Sequence, residues 1–180
     1  MTTPLGLLRA FRALPTLTAL IGLVGPVIGC ASATAAASVC PPQAARTVTE
    51  LYSWTLREGD ATRQHLDQQR SLLDPALYRD LQAAFYLQPS AAGYLDFDPF
   101  NGTQVSSYGF RLLDCQASGD ALQVRVLVKT GLGPGRTSDS PIVVWLRRLN
   151  GQWRISDLGY PPSAPGETGS RLKPFLRSLL

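Results

Sequence analysis

Several things are scarce in this chain of 180 residues, and each scarcity removes a class of function. One histidine and three cysteines are too few for a zinc-finger array or a multi-histidine metal centre. Basic residues exceed acidic ones by only four, and two of that surplus, Arg9 and Arg12, lie in the first 29 residues. So small a surplus, without any RNA- or DNA-binding motif, gives no argument for nucleic acid as a partner. No GxSxG, HExxH or phosphate-cradling glycine loop is present, and no cofactor is implied. The glycine-rich stretch at 131–135 lacks the lysine and the following helix of a P-loop. The length suits one domain.

Charge is also missing from a long N-terminal stretch. After Arg9 and Arg12 no charged residue occurs until Arg46, and residues 14–29 (LPTLTALIGLVGPVIG) are apolar. A spanning helix needs roughly 20 apolar residues, and Pro15 and Pro26 weaken this run further. A basic start, a short apolar core and then small residues is the layout of a secretory signal, expected over 1–29. Residues 27–30, Val-Ile-Gly-Cys, resemble the bacterial lipobox, which makes Cys30 the lipidated first residue and a lipid its link to the membrane. Two alternatives stand beside this: cleavage after Ala33 or a nearby alanine, which discards Cys30, and an uncleaved anchor. Residues 30–41, rich in alanine, serine and threonine, read as a flexible tether to a domain over 42–180.

Without Cys30 the cysteines are Cys40 and Cys115. In an oxidising compartment two thiols most often pair, here closing a loop of about 75 residues that would stabilise the fold by roughly 4 kcal/mol. The alternative is two free thiols, one of them buried in a strand. No CxxC pair suggests redox chemistry.

Residues 42–58 place Val48, Leu51, Tyr52 and Thr55 on one helical face, with Pro42 near the start and Gly59-Asp60 at the end. A second, polar helix is expected over 61–72, carrying Arg63, His65, Asp67 and Arg70. Asp74-Pro75 starts a third, with an apolar stripe of Leu77, Leu81, Ala84 and Phe85. Strands are expected at 110–116, 121–129, 142–149 and 153–160, with hairpin turns at 118–120 and at Asn150-Gly151. Residues 131–140 read as a loose, mobile connection, and 170–180 as a short helix begun or interrupted by Pro174. The fold class is therefore α+β: helices on one face of an antiparallel sheet of about four strands.

A two-residue turn at Asn150-Gly151 would set Arg148 opposite Trp153, Leu146 opposite Ile155 and Val144 opposite Asp157, all on the apolar face. The other face would then pair Arg147 with Arg154, like charges that only water or an acid makes tolerable. Asp157 stands out as a carboxylate on an apolar face, either a pocket acid or an edge acid satisfied by amides or an arginine.

Residues 94–104 (YLDFDPFNGTQ), the Trp153–Leu158 strand and the closing leucine-rich helix resemble a family of bacterial envelope proteins, many of them lipoproteins, without an assigned activity. The match rests on Asp96, Asp98, Pro99, Phe100 and Gln104, then on Trp153, Ile155 and Asp157. Ser156 departs from it where an acid is common, and Leu158 where isoleucine is. The likeness covers residues 48–180 and implies a cystatin-like or nuclear-transport-factor-like fold.

Asp96, Asp98, Asn101 and Thr103 fail the calcium-loop spacing, with Asn101 where glycine belongs and Ser107 where glutamate belongs, so a structural turn is expected and no metal. Asn101-Gly102-Thr103 also fits a glycosylation sequon, an accidental match in a bacterial lipoprotein. His65 reads as a solvated surface residue. The binding candidates are Asp96, Asp98, Gln104, Arg147 and Arg154. The expected function is a non-enzymatic, envelope-tethered module that meets an envelope protein or a small ligand, inhibitor-like by analogy of fold. Its alternatives are a soluble secreted version and a ketosteroid-isomerase-like enzyme with Asp157 as general base and Tyr52 or Tyr160 beside it.

Overall fold

The computed structural model describes residues 39–89, 93–162 and 168–180; the segments expected to be an export signal (1–29) and a lipobox (27–30, with Cys30), and most of the expected 30–41 tether, lie outside them. Helix α1, Pro42–Glu58, buries Ala44, Val48, Leu51, Tyr52, Trp54 and Thr55 along one stripe, and Pro42 stands in its first turn. Helix α2, Pro75–Tyr86, buries Leu77, Tyr78, Leu81 and Ala84. Its first turn is capped by Asp74, whose carboxylate accepts from the Ala76 amide at 3.0 Å. A short α3, Leu172–Leu179, closes the chain and buries Leu172 and Leu176.

The polar helix expected over 61–72 does not form. Two 3₁₀ turns, Gly59–Thr62 and Leu66–Gln69, stand there instead. The segment has no apolar stripe to lay on the core, and its buried residues are single anchors: Thr62, Leu66 and Gln69. Side-chain bonds to other segments fix its course, with Trp54 Nε1 donating to Gln68 Oε1 at 3.1 Å and Arg63 to the Leu95 carbonyl at 2.6 Å.

Five strands form one antiparallel sheet in sequence order: β1 Ser106–Ser118, β2 Ala121–Gly133, β3 Arg136–Leu149, β4 Gln152–Tyr160 and the two-residue β5 Ser170–Arg171. Four strands were expected; the fifth is the stub that leads into α3. The loose connection expected at 131–140 is instead the continuation of β2 and β3, paired as far as Gly133 and Arg136. A Cβ on Gly131 would overlap the Arg136 carbonyl, so glycine lets the strands approach there rather than loosening them. Asn150 and Gly151, at φ 51° and 76°, make the β3–β4 turn.

Buried side chains line one face of the sheet: Val124, Val126 and Val128 on β2, Ile142, Val144 and Leu146 on β3, Ile155 and Leu158 on β4. Helix α1 packs against both β1 and β4, while α2 and α3 pack on each other and on β4. The residues before α2 join the sheet too. Leu73 bridges Ile155 in parallel, with the Asp74 amide donating to the Ile155 carbonyl at 2.7 Å and the Ile155 amide to Leu72 at 2.8 Å. Cys40 and Cys115 are joined in a disulfide that fastens the lead-in to α1 onto β1. Among the described residues no helix is long and apolar enough to cross a membrane.

The turn register departs from a plain hairpin in one consequential place. Arg148 faces Trp153, Arg147 faces Arg154 and Leu146 faces Ile155, but Trp145 then faces Asp157 and Val144 faces Leu158. An extra residue at Ser156 makes a bulge, so Leu158, not Asp157, takes the place opposite Val144.

Candidate functional site

The expected site residues fall into separate places. Asp96, Asp98 and Gln104 come together in one cleft. Arg154 lines another, and Arg147 lines neither. Asp157 lies in another place, under α3.

Asp157 is 3 % exposed. One carboxylate oxygen accepts from the Leu158 and Lys173 amides, each at 2.9 Å, and the other pairs with Arg171 at 2.8 Å. Arg171, the residue at the start of α3, offers no side-chain cap of its own. Asp157 therefore supplies from β4 the acceptor that the first turn of α3 lacks, and its negative charge suits the positive end of the helix dipole. The Arg171 guanidinium in turn lies 4.0 Å from the centre of the Trp145 ring.

Arg147 is likewise taken up by structure. Its guanidinium pairs with the fully buried Asp74, with Nε at 2.5 Å from Oδ2, which screens the like-charge contact with Arg154. His65 pairs with Glu58 at 2.5 Å and is about half exposed.

The cleft holding Asp96, Asp98 and Gln104 has a volume of about 270 Å³ and lies between the end of α1 and the 96–107 segment. One wall comes from Thr55, Asp60, Thr62 and Arg63, where the chain turns away from α1 at Gly59 (φ 52°). The opposite wall runs through Asp96, Asp98, Gln104, Ser106 and Ser107. Of these, Asp60, Thr62, Arg63 and the two serines are additions that the sequence did not mark as site residues. Gly59-Asp60 read only as a helix end, and nothing local signals that it faces a loop some forty residues later.

The 96–107 wall is stiff. Asp98 accepts from the Phe100 amide through its side chain at 2.8 Å and from the Gly102 amide through its carbonyl at 2.8 Å, and its own amide donates to the Thr103 carbonyl at 2.8 Å. Asn101 is buried, donates to the Val105 carbonyl and Ser107 hydroxyl, and accepts from the Thr103 amide at 2.7 Å. With its amide so engaged, Asn101 is closed to a glycan. Gly102 (φ 71°) has the Tyr160 ring where a Cβ would stand, and the Tyr160 hydroxyl donates to the Pro99 carbonyl at 2.8 Å. This is the structural turn expected of the segment.

Electrostatically the cleft is acidic. Burial pushes the Asp98 carboxyl up to about 6, against the Phe100 amide bond and the Arg63 charge, which lower it; Asp60 adds to the rise. Burial also raises the hydroxyls of Tyr52 and Tyr160, and the Asp98 charge adds to both. The cleft's one cation, Arg63, is engaged by the Leu95 carbonyl and stands 5.3 Å from the centre of the Phe85 ring. Asp96 is exposed and accepts from Gln104 Nε2 at 3.2 Å.

Fold and site together define an α+β domain carrying a small acidic cleft on a rigid loop. Comparison with family models, with curated proteins and with solved structures returns no match for this chain.

Proposed function

We propose that this is a binding module tethered in a bacterial envelope through a lipid on Cys30, and that its acidic cleft receives a basic side chain from a protein partner. The observation that carries the reading is the convergence of three acids, Asp60, Asp96 and Asp98, on one rigid cleft lined by a single cation, Arg63. At about 270 Å³ the cleft falls below the roughly 300 Å³ at which small-molecule pockets begin, and suits one long side chain. The resemblance to envelope proteins of unassigned activity supports the location, and the lipobox-like Val27-Ile28-Gly29-Cys30 supports the tether.

The alternative of a ketosteroid-isomerase-like enzyme rests on Asp157 as general base. Its oxygens are occupied by two amides and an arginine, and it lines neither cleft, which favours binding over that chemistry.

Titrating the intact protein with tri-arginine, followed by amide chemical shifts, tests the proposal. Shifts confined to residues 55–63 and 96–107, several-fold weaker binding in an Asp60→Asn/Asp96→Asn double variant, and no response to triglycine are the expected results. Shifts scattered over the surface, or equal binding by the double variant, would reject the cleft as the contact. The mass of the chain recovered from its own membranes tests the tether: a diacyl or triacyl addition on Cys30 supports it, and a lipid-free chain beginning near Thr34 replaces it with a soluble secreted module.

A further inference from the structure

A second, larger cleft of about 730 Å³ lies where the 67–82 segment meets β4. Arg70, Arg79 and Arg154 line it, opposed by a single acid, Asp67, and its apolar lining includes Leu73, Pro75 and Leu149. None of the three arginines belongs to an ion pair among the described residues.

Arg154 is the informative one. It stands opposite Arg147 in the sheet, but the buried Asp74 compensates Arg147 and leaves Arg154 without a counter-charge. Its Nη2 donates to Gln152 Oε1, a neutral acceptor, at 2.8 Å, while its Nε is buried and has no acceptor. A buried donor without a partner is costly, and so is an uncompensated guanidinium beside another. Both costs would fall if an anion entered the cleft. Arg70 lies over the Tyr78 ring, 5.4 Å from its centre, a contact that limits how far its side chain roams. The volume is within the range of small-molecule sites, unlike that of the acidic cleft.

We propose that this cleft binds a small amphiphile with an oxyanion head, the head taken by Arg154, Arg79 and Arg70 and the apolar body laid along Pro75 and Leu149. Guanidinium groups match the planar, bidentate geometry of carboxylate and phosphate oxygens, the two heads the site could accept.

Calorimetric titration of the intact protein with decanoate and with decyl phosphate, below the concentrations at which either aggregates, tests the assignment. Decanol and inorganic phosphate are the controls for body without head and head without body. At least one headed probe should bind about tenfold more tightly than either control, and the stronger of the two identifies the head. Arg154→Gln and Arg79→Gln should each weaken it about tenfold, a loss of about 1.4 kcal/mol. Arg79 is exposed on α2, so its variant keeps the test valid if Arg154→Gln folds poorly. Arg111→Gln, which removes the same charge from exposed β1, should change nothing. Equal binding of decanol, no binding of either headed probe, or an equal loss in Arg111→Gln would overturn the proposal.

Discussion

Arg147 on β3 closes onto Asp74, 73 positions earlier in the chain, and does so with a carboxylate that water does not reach. Asp74 thus does two things with its two oxygens: one caps α2 through the Ala76 amide and the other holds Arg147. Removing Arg147 would leave a buried charge with only half its partners. Arg147→Met, which keeps the apolar stem, should cost about 2–3 kcal/mol in urea denaturation. That is less than a fully buried pair would lose, because the Arg147 side chain is 48 % exposed. Arg111→Met on exposed β1 should cost under about 0.5 kcal/mol. Equal costs for the two would show that the pair is dispensable.

Asp157 offers a different test, because structural and catalytic roles predict different consequences. As the cap of α3, its replacement in Asp157→Ala should destabilise the domain by about 2 kcal/mol and speed hydrogen exchange at the Lys173 amide most of all. Asp157→Asn keeps an acceptor for the two amides and should be milder. A general base would behave the other way, with folding intact in the asparagine variant and only turnover lost. Unchanged exchange at Lys173 in Asp157→Ala would rule out the capping role.

Asp98 makes the stability of the domain depend on pH. Its folded value of about 6 lies above the ordinary carboxylate range, so the folded state holds a proton that the unfolded chain has already released. This contribution is fully favourable below about pH 4 and is lost as pH rises through about 6. Asp98→Asn cannot ionise and still offers an acceptor to the Phe100 amide. It should be more stable than the parent by about 1–3 kcal/mol at pH 7.5, the margin vanishing near pH 4. Urea denaturation of both proteins across that interval measures it. A constant difference at every pH would mean that Asp98 is not the titrating group.

The local chemistry of the chain was legible wherever one short motif decides a conformation. Asp74-Pro75 started a helix, Asn150-Gly151 made a tight turn, and the stripe from Val48 to Thr55 faced the core, each for reasons contained within a few residues. The failures share a different cause. The bulge at Ser156 is invisible to a count of alternating residues, yet it moves Asp157 from opposite Val144 to opposite Trp145. Residues 131–140 carry glycine, proline and serine, the composition of a loop, but Gly131 is there because two strands come too close for a side chain. Residues 61–72 have good helix formers and no partner surface for them, so bonds to Gln68 and Leu95 shape the segment instead. The acidic cleft was half visible: Asp96, Asp98 and Gln104 lie within one motif, whereas Asp60 and Arg63 reach it only through the tertiary fold.

The Cys40–Cys115 bond also determines how the domain carries mechanical load. Tension applied to the chain ahead of Cys40 passes through the two sulfurs into β1, a strand paired along its length with β2. Helix α1 begins two residues later and lies inside the covalent loop, so it is bypassed by that tension. The same is true of the Asp60 wall of the acidic cleft, which also falls between residues 40 and 115. A pull on the N-terminal side therefore loads the sheet and bypasses α1 and the Asp60 wall.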